Sequence, residues 1–360
     1  MTILDRYVTK EYVKLFFLIL VSFTALFLII DLFERMRMFL SNHATLNQIL
    51  TYLIFMIPMI VSQAIPVAVL LASLIVFSNL SKYSEILAMK ANGVSLYRTS
   101  VPVIIIAFFI CILSFLFNEY ITPYANDKAD YIKLVEIEKQ KPLGSFKQNQ
   151  IWYRGAKGIY NFKMFDAATN SLKGITINYI DKNFSLNMRI DAEIARWENN
   201  QWVFYNLMIT RFQPGQFSSI EWVSTKVIDL PEKPDDFTSV QKDASKMGYM
   251  ELRRYINKIQ SEGYNATRYL VDMHGKVAFT LVSMILVIIG ISFSLMKTER
   301  SGGIMQCIGV GIVIGFSYWV VHALSMSFGR SGTIPPVLSA WIANLILGSI
   351  SIVMYLRVKT

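Results

Sequence analysis

Six stretches of nearly continuous apolar residues dominate the chain, at 13–30, 49–80, 101–117, 277–296, 304–326 and 337–355. Runs of this length cross the roughly 30 Å hydrocarbon layer of a bilayer as helices. The second run is longer than a bilayer needs and holds Pro58 and Pro66, so a kinked or tilted span is expected there. Pro335-Pro336 announces the last. Ahead of the first run, Ile3, Leu4, Tyr7 and Val8 are interspersed with Asp5, Arg6, Thr9, Lys10 and Glu11. That pattern predicts an interfacial helix before the chain turns into the membrane.

Between the third and fourth runs the period changes from helical to two. Leu186, Met188, Ile190, Ala192 and Ile194 alternate with Asn187, Arg189, Asp191 and Glu193, as in a half-buried strand. Trp197-Glu198-Asn199-Asn200-Gln201-Trp202 reads as a turn into a second strand at 203–212. Further strands are expected at 150–154, 158–165, 174–180 and 219–228, giving a six-strand all-β domain of the sandwich or jelly-roll kind. Asp229-Leu230-Pro231-Glu232-Lys233-Pro234 closes it, and a helix at 249–262 leads back. The predicted organisation is an interfacial helix and transmembrane helices 1–3 (residues 1–117), a β domain with its return helix (118–270), and transmembrane helices 4–6 (271–360). The fold class is thus an α-helical membrane protein with six transmembrane helices, three plus three, and an all-β jelly-roll inserted between helices 3 and 4.

One short polar-apolar stretch separates the second and third runs: Ser84-Glu85-Ile86-Leu87-Ala88-Met89-Lys90-Ala91-Asn92-Gly93-Val94-Ser95. Ser84 is expected to cap a small helix, Glu85 to sit at the positive end of its dipole, and Asn92-Gly93 to stop it in a left-handed turn. Leu87, Ala88, Ala91 and Val94 fall on one face. Two readings apply, an interfacial connector or a docking helix for a cytoplasmic partner.

Composition narrows the class. Of the 360 residues, 54% are hydrophobic and 17% charged, too apolar for a soluble domain and right for a polytopic membrane protein. A net charge of +10 raises nucleic acid as a partner, but basic residues flanking membrane spans give the same excess, and nucleic acid is set aside. With the N-terminus inside, ten lysines and arginines, among them Arg6, Lys82, Arg98 and Arg300, fall on inner segments, against Arg35, Arg37 and Arg330 outside. Both termini and the short helix are therefore expected in the cytoplasm and the β insert outside. The first run lacks a cleavage site and is expected to persist as a span.

Chemistry is sparse. Cys111 and Cys307 lie in apolar runs and read as packing residues. His43, His274 and His322 have no metal spacing, and no metal site is expected. No G-x-x-x-x-G-K-[ST] phosphate loop occurs in the sequence, so ATP hydrolysis is expected elsewhere. The spans carry almost no ionisable residues in mid-bilayer, which argues against ion-coupled transport. Asp272, His274 and Lys276 cluster at the mouth of the fourth span; the bland reading is an interfacial charge group. At the outer end of the first span, Asp31, Glu34, Arg35 and Arg37 gather, and arginine forks suit phosphate oxygens, with snorkelling anchors the alternative. Gly309, Gly311, Gly315 and Gly329, following Ser301-Gly302-Gly303, give the fifth run the small residues of a close helix contact or a seam that parts.

This arrangement resembles the lipopolysaccharide-export ABC transporter permeases of the LptF/LptG family. The matching residues are Leu4-Asp5-Arg6-Tyr7, then Ser84-Glu85-Ile86 with Met89 and Asn92-Gly93, and Ile334-Pro335-Pro336 before the last span. The opening motif and Ser-Glu-Ile loop are nearer the G-type than the F-type member. The resemblance implies a non-catalytic permease of the Gram-negative inner membrane that extracts lipopolysaccharide from its outer leaflet. It implies a heterodimer with a homologous permease, a homodimeric cytoplasmic ATPase that binds the ATP and Mg, and a periplasmic bridge protein of similar jelly-rolls. No cofactor is expected in this chain itself. Ser84, Glu85, Ile86, Leu87, Met89, Asn92 and Gly93 would form the ATPase-coupling helix. Asp31, Arg35, Arg37 and Phe316 would contact lipid, which enters between span one of one subunit and span five of the other. The rivals are the F-type paralogue and a non-transporting scaffold whose β domain captures a periplasmic partner.

Overall fold

All six apolar runs fold as long helices in the computed structural model. It describes residues 3–139, 144–147, 150–154, 158–166, 169–180, 186–212, 219–234, 237, 244–261, 265–296 and 304–358. The spans are α1 (Ile3–Ser41), α2 (Leu46–Lys82), α4 (Leu96–Tyr131), α6 (Thr267–Met296), α7 (Ile304–Arg330) and α8 (Pro336–Leu356); two shorter helices are α3 (Glu85–Ala91) and α5 (Tyr249–Ser261). Residues 297–303, which include Arg300 and Ser301-Gly302-Gly303, lie outside the described residues.

The turn expected after the interfacial segment does not occur, and α1 is one helix of 39 residues. Val8, Tyr12, Phe16 and Ile19 explain why: three- and four-residue spacing keeps a single buried stripe running from the first turns into the apolar stretch. At 1.5 Å per residue the helix is about 58 Å long, nearly twice the hydrocarbon layer, so its ends stand beyond it.

Helix α2 is the centre of the bundle. Thr45 and Gln48 close a capping box at its start, and Pro58 and Pro66 are accommodated within one continuous helix. It packs on α1, α4, α6 and α7, and 83% of its apolar window is buried. Hydrophobicity does not drive helices together in lipid, so close backbone approach must do it. A Cβ on Gly290 of α6 would strike the Ser73 side chain and lie 3.0 Å from the Leu70 carbonyl. Ser294 donates to the Leu74 carbonyl at 3.0 Å in the same seam. Gly311 brings α7 against Leu71, whereas Gly309 faces open space, so the α7 glycines divide between contact and exposure.

Helix α4 continues far past residue 117, to Tyr131, and passes into a π-helix at Ile132–Ile137. Its Glu119 accepts hydrogen bonds from the backbone N–H groups of Tyr249 and, at 3.0 Å, Met250, capping α5. Lys246 pairs with Asp130 at 2.8 Å. Those contacts fasten the return segment to the helices, and the chain divides into a helical unit (Met1–Glu138 with Ala244–Thr360) and a β unit (Lys139–Asp243).

The β unit is a seven-stranded antiparallel sheet with strands in sequence order: β1 (Gly144–Lys147), β2 (Gln150–Arg154), β3 (Ile159–Asp166), β4 (Ser171–Ile180), β5 (Leu186–Glu198), β6 (Gln201–Arg211) and β7 (Ser219–Ile228). One more strand is present than the pattern predicts, β1 being four residues long. The turn expected over 197–202 is only Asn199-Asn200, both at positive φ (47° and 65°), a two-residue hairpin that leaves Trp197 paired with Trp202. The expected inward Ile194 is corrected to Ala195, which is fully buried. Inward positions step by three at one place in each of four strands: Phe162 to Phe165, Leu172 to Ile175, Ala192 to Ala195, Phe204 to Leu207. The residues between include Gly174 and Asn206, at φ of +59° and +54°, and this left-handed turn exchanges the faces of the strand without shifting its register. The core on that face is closed by the segment after β7, with Leu230 and Phe237 buried in it.

Candidate functional site

The predicted docking residues form α3, whose packing differs from the sequence expectation in two respects. Ser84 does not cap with its side chain; at φ of 60° it is a left-handed joint between α2 and α3, and its carbonyl accepts from Ala88. The tight connection after Tyr83 leaves no room for the extended conformation an N-cap needs. Of the apolar face of Leu87, Ala88, Ala91 and Val94, only Val94 packs against the core. Ile86 and Met89 enter the core of the bundle, while Leu87 is 65% exposed and Ala88 and Ala91 lie in the open. Met89 is held further by the Thr99 hydroxyl at 3.8 Å. Gly93, at φ of +79°, makes the predicted left-handed stop, and Asn92 returns its side-chain amide to the Ala88 carbonyl at 2.8 Å.

The start of α1 reaches this helix and the helix after it through contacts the sequence pattern did not indicate. The Tyr7 hydroxyl donates to Glu85 Oε1 at 3.3 Å, and Arg98 Nη2 donates to Asp5 Oδ2 at 3.2 Å. Asp5 is buried on the same stripe as Val8 and Tyr12. An acid at the head of an apolar helical stripe was the readable signal, because a carboxylate goes there only with a cation to meet it. The first turn of α4 is tied also to the end of the chain: Tyr97 donates to the Tyr355 carbonyl at 3.3 Å, and Ser100 and Tyr355 share a hydroxyl contact at 2.9 Å.

At the other end of α1, the predicted lipid residues separate. Arg35 pairs with Asp31 at 2.8 Å and lies over the Tyr52 ring, 5.5 Å from its centroid, beside the buried Phe39, Ile132 and Ile137. Arg37 is exposed and has no ion-pair partner among the described residues. Phe316 is on α7, 64% exposed and stacked on Trp319 at 6.5 Å; no side-chain contact among the described residues joins it to Asp31, Arg35 or Arg37. The Asp272 group resolves into a bridge to Arg330 at 2.7 Å, joining α6 to the end of α7. His322 stacks on Tyr318 of its own helix, ring centroids 5.5 Å apart, and His43 occupies the α1–α2 turn at φ of 52°.

Coverage of the spans is uneven. Only 11% of the apolar window of α1 and 22% of that of α7 is buried, against 61% for α6. Both thus present long apolar flanks with Phe17, Leu18 and Val21 on one, and Val313, Phe316 and Trp319 on the other. Exposed apolar flanks of this kind face lipid or a second protein.

Residues 6–357 match the family model described as lipopolysaccharide export system permease LptF/LptG. The lipopolysaccharide export system permease protein LptG of Escherichia coli K12 is 22% identical over 365 residues, covering 99% of this chain and 98% of that protein. The protein of that name from Haemophilus influenzae is 21% identical over 347 residues, 95% of each chain.

Proposed function

The chain belongs to the lipopolysaccharide export system permease LptF/LptG family, and from that premise we propose that it is the G-type, non-catalytic half of an inner-membrane pump for lipopolysaccharide. The basic bias of the short segments supports a topology with both termini and α3 in the cytoplasm and the β unit in the periplasm. A homodimeric ATPase, which holds ATP and Mg, docks on α3, and the homologous permease completes the membrane cavity. The lightly covered flanks of α1 and α7 are the surfaces available to that second permease and to lipid entering between them. Arg37, with Arg35 beside it, receives headgroup phosphates at the periplasmic end of α1, and Phe316 contributes apolar surface. Lipid leaves through the β unit to a bridge of similar domains.

One observation carries the docking assignment. A connector packed on the bundle would bury Ile86 and Met89 too, but it has no need of an outward apolar residue such as Leu87, 65% exposed, beside Glu85. That geometry suits an apolar groove on a soluble partner, entered as a short amphipathic helix. The test is co-purification of the ATPase from membranes with Leu87→Glu and Glu85→Ala variants. Loss of the ATPase at unchanged permease level is expected, and undiminished recovery with both variants overturns the reading.

A further inference from the structure

We propose that Asp5, Tyr7 and Arg98 are positioning residues that join the docking helix to span one, so that a displacement of α3 is delivered to α1. The proposal rests on the reading of α3 as the docking helix.

The geometry is specific. Helix α3 and the first turn of α4 are fastened to each other: Gly93 folds the connection back, Val94 donates its N–H to the Met89 carbonyl at 3.0 Å, and Thr99 contacts the Met89 sulfur. Helix α1 grips them twice: Tyr7 reaches Glu85 on α3, and Asp5 reaches Arg98 on α4. Residues two apart on a helix point about 200° away from each other. The two contacts therefore leave α1 in different directions and resist its rotation as well as its translation. Asp5 is 8% exposed, and its side chain sits where desolvation penalises an unpaired carboxylate. Arg98 meets that carboxylate from the more exposed side of the pair, its side chain 56% accessible against 11% for Asp5. Farther along, only 11% of the apolar window of α1 is buried, so its first turns are where a displacement of α3 reaches this span.

Asp5→Asn, Arg98→Gln and the exchanged pair Asp5→Arg/Arg98→Asp are to be compared with the parent in the purified permease–ATPase complex in proteoliposomes. The readouts are ATPase retained, hydrolysis rate, and lipopolysaccharide released per ATP. Retention and hydrolysis are expected within about twofold of the parent, while release per ATP falls about fivefold or more in each single variant and recovers in the exchanged pair. Tyr7→Phe, which keeps the ring and loses only the hydroxyl, is expected to lower release per ATP without loss of ATPase. Unchanged release per ATP in the single variants, loss that merely follows loss of ATPase, or no recovery in the exchanged pair each overturns the proposal. Glu85→Ala run in parallel separates the two claims. If both it and Leu87→Glu keep the ATPase, the docking reading fails; if the ATPase is lost in them while Asp5→Asn transports normally, only the positioning role fails.

Discussion

The Asn206 side-chain amide donates to the Glu193 carboxylate at 2.7 Å, across β6 and β5 at the point where both strands exchange their inward faces. Asn206 holds φ at +54°, a left-handed conformation that asparagine tolerates and β-branched residues do not. The substitution series at this position should therefore be ordered by backbone rather than by side-chain contact. Asn206→Gly is expected to retain stability to within several tenths of a kcal/mol, and Asn206→Val to lose about 1–2 kcal/mol. Amide hydrogen exchange in β5 and β6 of the full chain checks it; an equal loss for Gly and Val would assign the effect to the hydrogen bond instead.

Phe237 fills the same core from outside the sheet. Its ring meets Phe162 at 5.3 Å and Trp202 at 5.7 Å, while the Trp202 indole N–H donates to the Glu232 carbonyl at 2.8 Å and Tyr160 donates to the Glu232 carboxylate at 3.2 Å. The segment after β7 is thus both a hydrophobic plug and a polar latch. Phe237→Ala is expected to cost about 3–5 kcal/mol through the cavity it leaves, and Phe237→Leu less than half of that. Limited proteolysis of the β unit in the intact protein should rank the two variants in that order.

In the membrane, Gly290 and Ser73 set the distance between α6 and α2. Any side chain at Gly290 must displace Ser73 or the Leu70 carbonyl, and neither is a flexible chain end. Gly290→Leu is expected to destabilise the bundle by about 1–3 kcal/mol, with Gly290→Ala milder. Gly309, with nothing within 4 Å, is the control: Gly309→Ala should leave thermal stability in detergent unchanged or slightly raised.

The six spans and the β insert were legible because each obeys one period over many residues, and α3 was legible from Glu85 and Gly93. What escaped the pattern has physical causes. The inward phase of β5 was misassigned at Ile194 because a single left-handed residue on each of two neighbouring strands reset the alternation across the sheet. Ser84 was taken for a cap because composition does not reveal that a one-residue joint already fixes its φ at 60°. Which face of α3 packs was not legible because seven residues carry too few apolar positions to define a stripe, and the neighbours that choose between Leu87 and Met89 come from distant sequence. Asp5 and Arg98 stand 93 positions apart, so their pairing was invisible although each residue was in plain view.

The arginines at the far end of α1 allow a sharper expectation than their shared charge suggests. Arg35 is already committed, bonded to Asp31 and stacked over Tyr52, whereas Arg37 stands exposed with its donors directed to no ion-pair partner among the described residues. A phosphate approaching this end finds Arg37 without first breaking a bond, and gains Arg35 only by displacing Asp31. Replacing Arg37 by Ala should lower lipopolysaccharide photo-crosslinking at span one about fivefold, the scale of one charge-assisted hydrogen bond, and Arg35→Ala by less. Asp31→Asn should raise it, because the change releases the Arg35 guanidinium while leaving the Tyr52 ring to hold its place. Equal losses for the two arginines, or no gain from Asp31→Asn, would mean that the Asp31 bridge does not hold Arg35 in the membrane and that both side chains act as interchangeable anchors.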